Sequence, residues 1–275
     1  MNLVCLSWNV RGLGRFEKVR AVGRTLRESR ASFIFLQESK LQRISPRVRR
    51  SVMSSKKFEI EAAPSVGSAG GLIVLWDKEL FMVESKVITY RAIFLVGQLT
   101  SIRKRCAFVN IYAPTIQTDR KVFFEYITAT LNTIFVPIVM GGDFNAIVSA
   151  EEKSGIEFCH SASKVFADFI HLNGLIDLPM EGSRFTWFRG GAQAEASRLD
   201  RFLISTDILS WFPNLRQVAL TRGLSDHKAV LLEDKAKRIL RRPFKWFSHW
   251  VEHDDYKRLV NTTLLNGLDV RWEPF

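Results

Sequence analysis

Gly141-Gly142-Asp143-Phe144-Asn145 sets a carboxylate and a carboxamide two residues apart, directly after the apolar run Pro137-Ile138-Val139-Met140. That run reads as a buried strand, and the two glycines let the backbone turn at its end, where a Cβ would crowd. If the chain stays extended through Asn145, alternation puts Asp143 and Asn145 on one side and Phe144 on the other. Such a pair suits chemistry on a phosphate: the carboxylate handles a proton, and the amide donates to an oxygen that gains negative charge. Read alone, the string is more often a plain turn in which Asp and Asn bond their own backbone. What shifts the reading is the number of other strand ends that carry similar groups: Asn9, Glu38, Tyr112, Asp200 and Asp226-His227. Strand-end loops on a rigid frame are where layered folds build their sites.

These residue types fit metal-assisted hydrolysis of a phosphodiester. Glu38 is a hard oxygen ligand for magnesium or manganese, which use few carboxylates and keep several waters; on its own it is as readily an ordinary acid at a helix start. Asn9 and Asp226 would complete the shell directly or through water. His227 has no cysteine or second histidine beside it, which argues against zinc. With Asp200 to orient its ring, it is a candidate base or phosphate contact. Tyr112 is a candidate donor to a phosphate oxygen, or simply a strand-end aromatic. A scissile phosphate repels hydroxide, so a cation and neutral donors must offset its charge while another group accepts a proton.

The elements that must position these groups can be read in order. Leu3–Trp8 is an apolar strand, followed by a helix with Phe16, Val19, Val22 and Leu26 on one face. Phe33–Leu36 is a second strand, closed by Gln37-Glu38-Ser39; the basic segment Lys40–Lys57 is helical in part. Strands at Gly70–Trp76, Phe81–Tyr90, Ala92–Leu99 and Cys106–Tyr112 are spaced for antiparallel pairing. Thr118 is the expected cap of a helix facing inward with Phe123, Phe124, Ile127, Leu131 and Ile134. A second half begins near Ala146: a helix capped by Ser161 and ended by Asn173-Gly174, then strands at Arg184–Phe188, Arg198–Ile204, Leu215–Leu220 and Lys228–Leu232. Two facing sheets with helices outside would bury both sets.

The chain has 275 residues, enough for a sizeable core, and its 21 Phe and 7 Trp point to a packed interior rather than disorder. The expected division is a domain over residues 1–233 and a basic, Trp-rich tail or linker over 234–275. A net charge of +12 favours a polyanionic partner, nucleic acid before an anionic membrane surface. The N-terminal stretch reads as a strand rather than a signal peptide, and no run of 18 apolar residues spans a membrane. Cys5, Cys106 and Cys159 form no Cys-x-x-Cys, so free thiols in a reducing, intracellular compartment are expected.

The strings SWNVRGLG (7–14), LQESK (36–40), NIYAP (110–114), GGDFNAI (141–147), SRFTWF (183–188), RLDRFLIS (198–205) and LSDHKAV (224–230) together resemble the endonuclease/exonuclease/phosphatase superfamily. The likeness is to its AP-endonuclease-like branch in plant non-LTR (LINE-type) retrotransposons. The resemblance implies an α/β four-layer sandwich of two packed mixed sheets flanked by helices. It also implies a nuclear enzyme that nicks DNA with Mg2+ or Mn2+ and leaves a 3′ hydroxyl. Carried over by position, Glu38 binds the metal with Asn9 adjacent and Asp226 near it. Asp143 handles the proton of water or leaving group, Asn145 and Tyr112 contact the phosphate, and His227 is oriented by Asp200. Arg184, Thr186 and Trp187 are candidates for a DNA-contacting loop, although Phe185 and Trp187 are equally core aromatics. Arg11 stands where AP-endonuclease relatives often carry Asp, which weakens abasic-site repair and agrees with the retrotransposon branch. The tail resembles the segment that joins such endonucleases to a reverse transcriptase. Two other readings remain at this point: a phosphatase or RNA deadenylase of the same fold, and an inactive remnant that only binds nucleic acid. Oligomeric state and target sequence are not encoded in these motifs.

Overall fold

A computed structural model describes residues 3–53, 57–67, 69–155, 159–190, 194–235 and 254–265. The chain divides into two units, Met1–Ala236 and Lys237–Phe275. In the first, the elements in chain order are β1 (Val4–Asn9), α1 (Phe16–Ser29), β2 (Phe33–Gln37), α2 (Pro46–Val52), β3 (Phe58–Val66), β4 (Ala69–Asp77), β5 (Phe81–Ile88), β6 (Ala92–Leu99), β7 (Lys104–Tyr112), α3 (Gln117–Leu131), β8 (Ile138–Asp143) and α4 (His160–Leu172). There follow β9 (Leu175–Asp177), β10 (Met180–Glu181), β11 (Trp187–Arg189), β12 (Glu195–Ser197), β13 (Asp200–Ser205), α5 (Thr206–Trp211), β14 (Leu215–Ala219) and β15 (Val230–Asp234). The second unit is described only in α6 (Asp254–Leu265). No helix among the described residues is long and apolar enough to cross a membrane.

The strands form a seven-stranded sheet, β10-β14-β15-β1-β2-β4-β3, and a six-stranded sheet, β5-β6-β7-β8-β13-β9, with β11-β12 as a separate hairpin. The near-continuous apolar runs of the central strands are explained by burial on both faces. Alternate residues feed different cores. Cys5, Phe33, Phe35, Phe108, Val139 and Phe202 pack between the sheets. Leu6, Ile34 and Leu36 pack outward with Val19, Val22 and Leu26 of α1. Val109, Met140 and Leu203 pack outward with Phe124, Ile127 and Phe166 of α3 and α4. The result is helix, sheet, sheet, helix: the four-layer α/β sandwich that the motifs imply.

Strand direction gathers the strand ends. β1 and β2 are parallel, so Asn9 lies opposite Gln37 at their common end. β7 and β8 are parallel in the other sheet, with Tyr112 opposite Asp143. β15 runs antiparallel to β1, and β13 antiparallel to β8, with Asp200 opposite Asp143. Strands that end and strands that begin therefore meet at one rim, which is why Asp200 opens β13 and Asp226-His227 precedes β15.

Several expectations need correction. Gly141 and Gly142 do not turn the chain; both lie inside β8. A Cβ on Gly141 would stand 2.4 Å from the Phe202 ring and one on Gly142 2.0 Å from the carbonyl oxygen of Ile111, so close packing requires glycine here. Helix α3 starts before Thr118 with Ile116 as its cap, and α4 starts before Ser161 with Cys159 as its cap; neither hydroxyl serves as the N-cap. The sheets do not correspond to the two halves of the sequence. Consecutive strands β4 and β5 lie in different sheets, and each sheet takes strands from both halves. Of the tail, Arg238, Arg241, Arg242, Lys245, Trp246, Phe247 and Trp250 lie outside the described residues. Cys5 and Cys106 are buried free thiols as expected, and Cys159 is free and exposed.

Arg201 on β13 is fully buried and was not singled out by its position in RLDRFLIS. Its guanidinium donates to Glu152 at 3.0 and 2.9 Å, to Asp177 at 2.6 Å and to the carbonyl of Ala146 at 3.2 Å. The network thereby anchors the segment that leaves Asn145. Removing one partner of a buried ion pair strands the other charge, so Arg201→Ala should cost about 3–5 kcal/mol in urea unfolding; a cost below about 1 kcal/mol would show the network to be dispensable. Burial alone raises the Glu152 pKa, but Arg201 outweighs it and the net shift is downward. The unfolded carboxylate binds protons more readily, so this contribution is present at neutral pH and is lost as pH falls through the folded pKa.

Candidate active site

Two turns from different parts of the chain are laced together at the rim. Arg11, Glu38, Lys40 and Asn145 all adopt positive φ, between 47° and 55°. Such non-glycine residues cost of order 1–3 kcal/mol each and persist only where surroundings hold them. Here Gly12 N–H donates to the Glu38 carbonyl at 2.6 Å and Leu13 N–H to that of Ser39 at 2.9 Å. The Arg11 N–H bonds the Asn9 side chain at 3.1 Å, and the Asn145 N–H bonds Asp143 Oδ1 at 2.9 Å. The second bond is the self-capping turn, and it coexists with a functional geometry: Oδ2 of Asp143 is left to face the site.

The side chains join across the two sheets. Asn9 Nδ2 donates both to Glu38 Oε1 at 3.0 Å and to Asp143 Oδ2 at 2.8 Å. Tyr112 OH donates to Glu38 Oε1 at 3.1 Å. His227 Nδ1 lies 2.8 Å from Asp200 Oδ2, and its Nε2 lies 3.9 Å from Asp143 Oδ2. Asn145 Nδ2 donates to the Ala113 carbonyl at 2.9 Å, which uses one of its two amide hydrogens. Arg11 reaches Asp226 at 2.9 Å and Glu38 at 3.5 Å; Lys40 approaches Glu38 at 3.7 Å. Groups drawn from residues 9 to 227 thus meet in one place.

Burial and neighbouring charges together shift the titrating groups. Asp143 is pushed up to about 7, first by burial and then by Asp200, against the pull of His227 and Asn9. For His227, burial acts downward, but Asp200 and Asp143 outweigh it and raise it to about 9. The charged form of the ring is thus favoured, and Asp143 holds a proton more readily than an exposed carboxylate. Burial, then Glu38 and Asp143, push the Tyr112 phenol up, so it remains a hydrogen-bond donor.

The surrounding frame includes residues whose roles emerge only in the fold. Ser225 donates to the Asn9 carbonyl at 2.7 Å and accepts the His227 N–H at 3.2 Å; Trp8 Nε1 donates to the His227 carbonyl at 3.1 Å. These bonds fasten the Asp226-His227 turn to the end of β1. Thr186, expected in a DNA-contacting loop, is fully buried. Its hydroxyl accepts the N–H groups of Leu199 and Asp200, both at 3.0 Å, so it positions the acid that orients His227. Trp187 is half-buried and donates to Asp226 Oδ2 at 3.2 Å, which places it in the site. Arg184 lies to the side, bonded to the Glu151 carbonyl at 2.6 Å. A shared signal for Ser225 and Trp8 existed, since both fall within the quoted motifs, but hydroxyls and indoles at strand ends have many uses.

Two donor sets bear on a cation. Asp143, Asp200 and His227 bring their ligand atoms within 4.8 Å of one another. That set is already closed by the His227–Asp200 bond and deeply buried, which suits proton transfer. Buried Glu38 and half-buried Asp226 offer hard oxygens beside it; Arg11 already pairs with both and Lys40 with Glu38. Their chemistry fits magnesium or manganese. Asn9, with its oxygen taken by the Arg11 N–H and its nitrogen by two carboxylates, stands beside that pair as a brace.

A family model described as Endonuclease/Exonuclease/phosphatase family matches residues 6–227. The "Transposon TX1 uncharacterized 149 kDa protein" of Xenopus laevis is 28% identical over 184 residues, covering 61% of this chain and 14% of that protein. The chain therefore spans only a small part of that relative's length. Among solved structures, the AP endonuclease LMAP from Leishmania major superposes with a TM-score of 0.69 at 13% identity, covering 84% of this chain and 87% of that one. The endonuclease domain of TRAS1, a telomere-specific non-LTR retrotransposon, gives 0.64 at 15% identity, covering 86% and 100%. At these identities the structural likeness establishes the fold.

The raised His227 pKa carries its own check. Its charged form is favoured in the folded protein, so its contribution to stability is full below its ordinary value of 6.5 and is lost as pH rises through about 9. Asp200→Asn removes the main upward influence while burial remains. The imidazole titration of His227, followed by NMR, should then fall from about 9, with Asp143 and Asp226 still acting upward. A midpoint unmoved by the substitution would show that Asp200 does not set the charge of the ring.

Proposed function

Because the chain belongs to the endonuclease/exonuclease/phosphatase family, whose members are hydrolases of phosphodiester bonds, we propose that it is a divalent-metal-dependent DNA endonuclease that nicks one strand, the target-site activity of a retrotransposon-derived protein. The observation that carries this reading is the convergence of Glu38, Asp143 and His227, linked through Asn9 and Asp200. A net charge of +12 favours a nucleic-acid polyanion over a small phosphate ester. The transposon relative and the retrotransposon endonuclease among the structural neighbours support DNA as the substrate; the nucleus is the proposed place of action.

Glu38 and Asp226 would hold Mg2+ or Mn2+, with Tyr112 and Asn9 fixing the Glu38 carboxylate by hydrogen bonds. When bound, the cation supplies positive charge against the phosphate oxygens and favours the attacking or departing oxyanion. Asp143, whose proton affinity is raised by burial, accepts a proton from water. The water oxygen bonds to phosphorus as the bond to the 3′ oxygen breaks, and the departing 3′ oxygen takes a proton from solvent, leaving a 3′ hydroxyl and a 5′ phosphate. The His227 imidazolium, held by Asp200, offers Nε2–H to a non-bridging phosphate oxygen, where negative charge gathers. The free hydrogen of the Asn145 amide adds a neutral donor. Trp187 and the β11-β12 hairpin flank this arrangement and are the proposed DNA-facing surface, with Arg184 beside them.

The direct test is nicking of supercoiled plasmid. Activity should vanish in EDTA and return with Mg2+ or Mn2+. Glu38→Ala, Asp143→Asn and His227→Ala should each lower the rate by roughly a hundredfold or more. Unchanged nicking in any one of the three would remove that residue from the mechanism, and unchanged nicking in EDTA would end the metal reading.

A further inference from the structure

The carboxylates assigned to the metal are bridged by a side chain of the protein itself. One terminal nitrogen of Arg11 lies 2.9 Å from Asp226 and the other 3.5 Å from Glu38. The guanidinium and a divalent cation compete for the same oxygens, and their like charges oppose occupancy side by side. We propose that Arg11 is a built-in counter-ion which the divalent cation displaces, and that its released guanidinium then engages a DNA backbone phosphate. This rests on the reading that Glu38 and Asp226 hold the metal.

Three observations support a side chain that moves on a fixed base. The Arg11 backbone is pinned at φ 49°, with its N–H on Asn9 and its carbonyl accepting from Lys18 Nζ at 3.1 Å. Its side chain is 46% exposed, so the guanidinium is not locked in by packing. Beside it opens a cavity of about 550 Å³ lined by three cations, Arg11, Arg15 and Lys18, and one acid, Glu17, with Gly12, Gly14 and Leu224. Arg15 and Lys18 give that cavity a predominantly positive lining, suited to a phosphate once Arg11 has turned toward it. Binding of metal and pairing of Arg11 with the carboxylates are then opposed, and linkage makes the opposition reciprocal. The arrangement keeps Glu38 and Asp226 compensated before metal arrives and couples metal loading to DNA contact afterward.

The test counts bound metal rather than turnover. Mn2+ titrations followed by the loss of the free-ion EPR signal would compare wild type, Arg11→Ala and Arg11→Gly. The glycine variant removes the side chain without straining a positive φ, so a folding defect in the alanine variant does not confound the result. Both variants should bind Mn2+ about three- to tenfold more tightly, the range expected for removing a half-exposed ionic competitor. In an Asp143→Asn background that keeps the duplex intact, Arg11→Gly should reduce the salt slope of DNA binding by about one with Mn2+ present and leave it unchanged in EDTA. Equal or weaker Mn2+ binding by the variants overturns the competition while leaving the metal site standing. Loss of the same slope in EDTA overturns the metal-gated release. Should wild type bind Mn2+ no better than Glu38→Ala, the metal reading fails, and this inference with it.

Discussion

The Asn9 carboxamide joins the two sheets at the rim where the strand ends gather. Asn9, at the end of β1, donates to Glu38 in its own sheet and to Asp143 in the facing sheet. The amide is buried, and so are both acids. Two buried carboxylates near one another repel, and each requires donors to replace lost water. Asn9 supplies both without adding charge, and its own oxygen is satisfied by the Arg11 N–H. His227–Asp200 and Tyr112–Glu38 are further bonds between the sheets. The site therefore exists only when both sheets stand in register, and any sliding of one over the other separates acid from base.

The interior supports that register with another polar contact. Gln37 on β2 donates to Ser7 at 3.1 Å and to Asn110 at 2.7 Å; Asn110 on β7 returns bonds to the carbonyls of Leu36 and Ile73. An apolar interface between sheets tolerates small slips, because dispersion is nondirectional. A buried amide pair does not, since each lost bond leaves a desolvated polar group. Gln37 immediately precedes Glu38, so the clamp and the proposed metal ligand share one strand end. The Phe33–Phe108 ring stack, with centroids 3.6 Å apart, adds an apolar contact between the same strands.

Much of this was legible in the chain because strand alternation and motif order are local signals. Apolar runs gave the central strands, and polar residues at their ends gave most of the site: Asn9, Glu38, Tyr112, Asp143, Asn145, Asp200 and His227. The missing parts depend on partners distant in sequence. Nothing near Gly141 and Gly142 tells that the Phe202 ring and the Ile111 carbonyl exclude a Cβ there. Thr186 looks like a loop residue until its hydroxyl is seen receiving two N–H groups from the approach to β13. Arg201 follows an acid in a strand pattern, and only the fold brings Glu152 and Asp177 to it. Strand-to-sheet assignment was hidden for a similar reason: the short link between β4 and β5 resembles a hairpin turn, yet the chain passes from one sheet to the other. Arg11 was noticed as a departure from a motif, while its hold on two carboxylates required coordinates.

Where a cation sits relative to the Asn9 brace decides between the two donor sets. The most direct measurement is an anomalous difference map from crystals grown with Mn2+. The account predicts a peak bonded to Glu38 and Asp226 at about 2.2 Å, with the His227–Asp200 bond intact and Asp143 free of the metal. A peak bound instead by Asp143, Asp200 and His227, with Glu38 still held by Arg11, would contradict it.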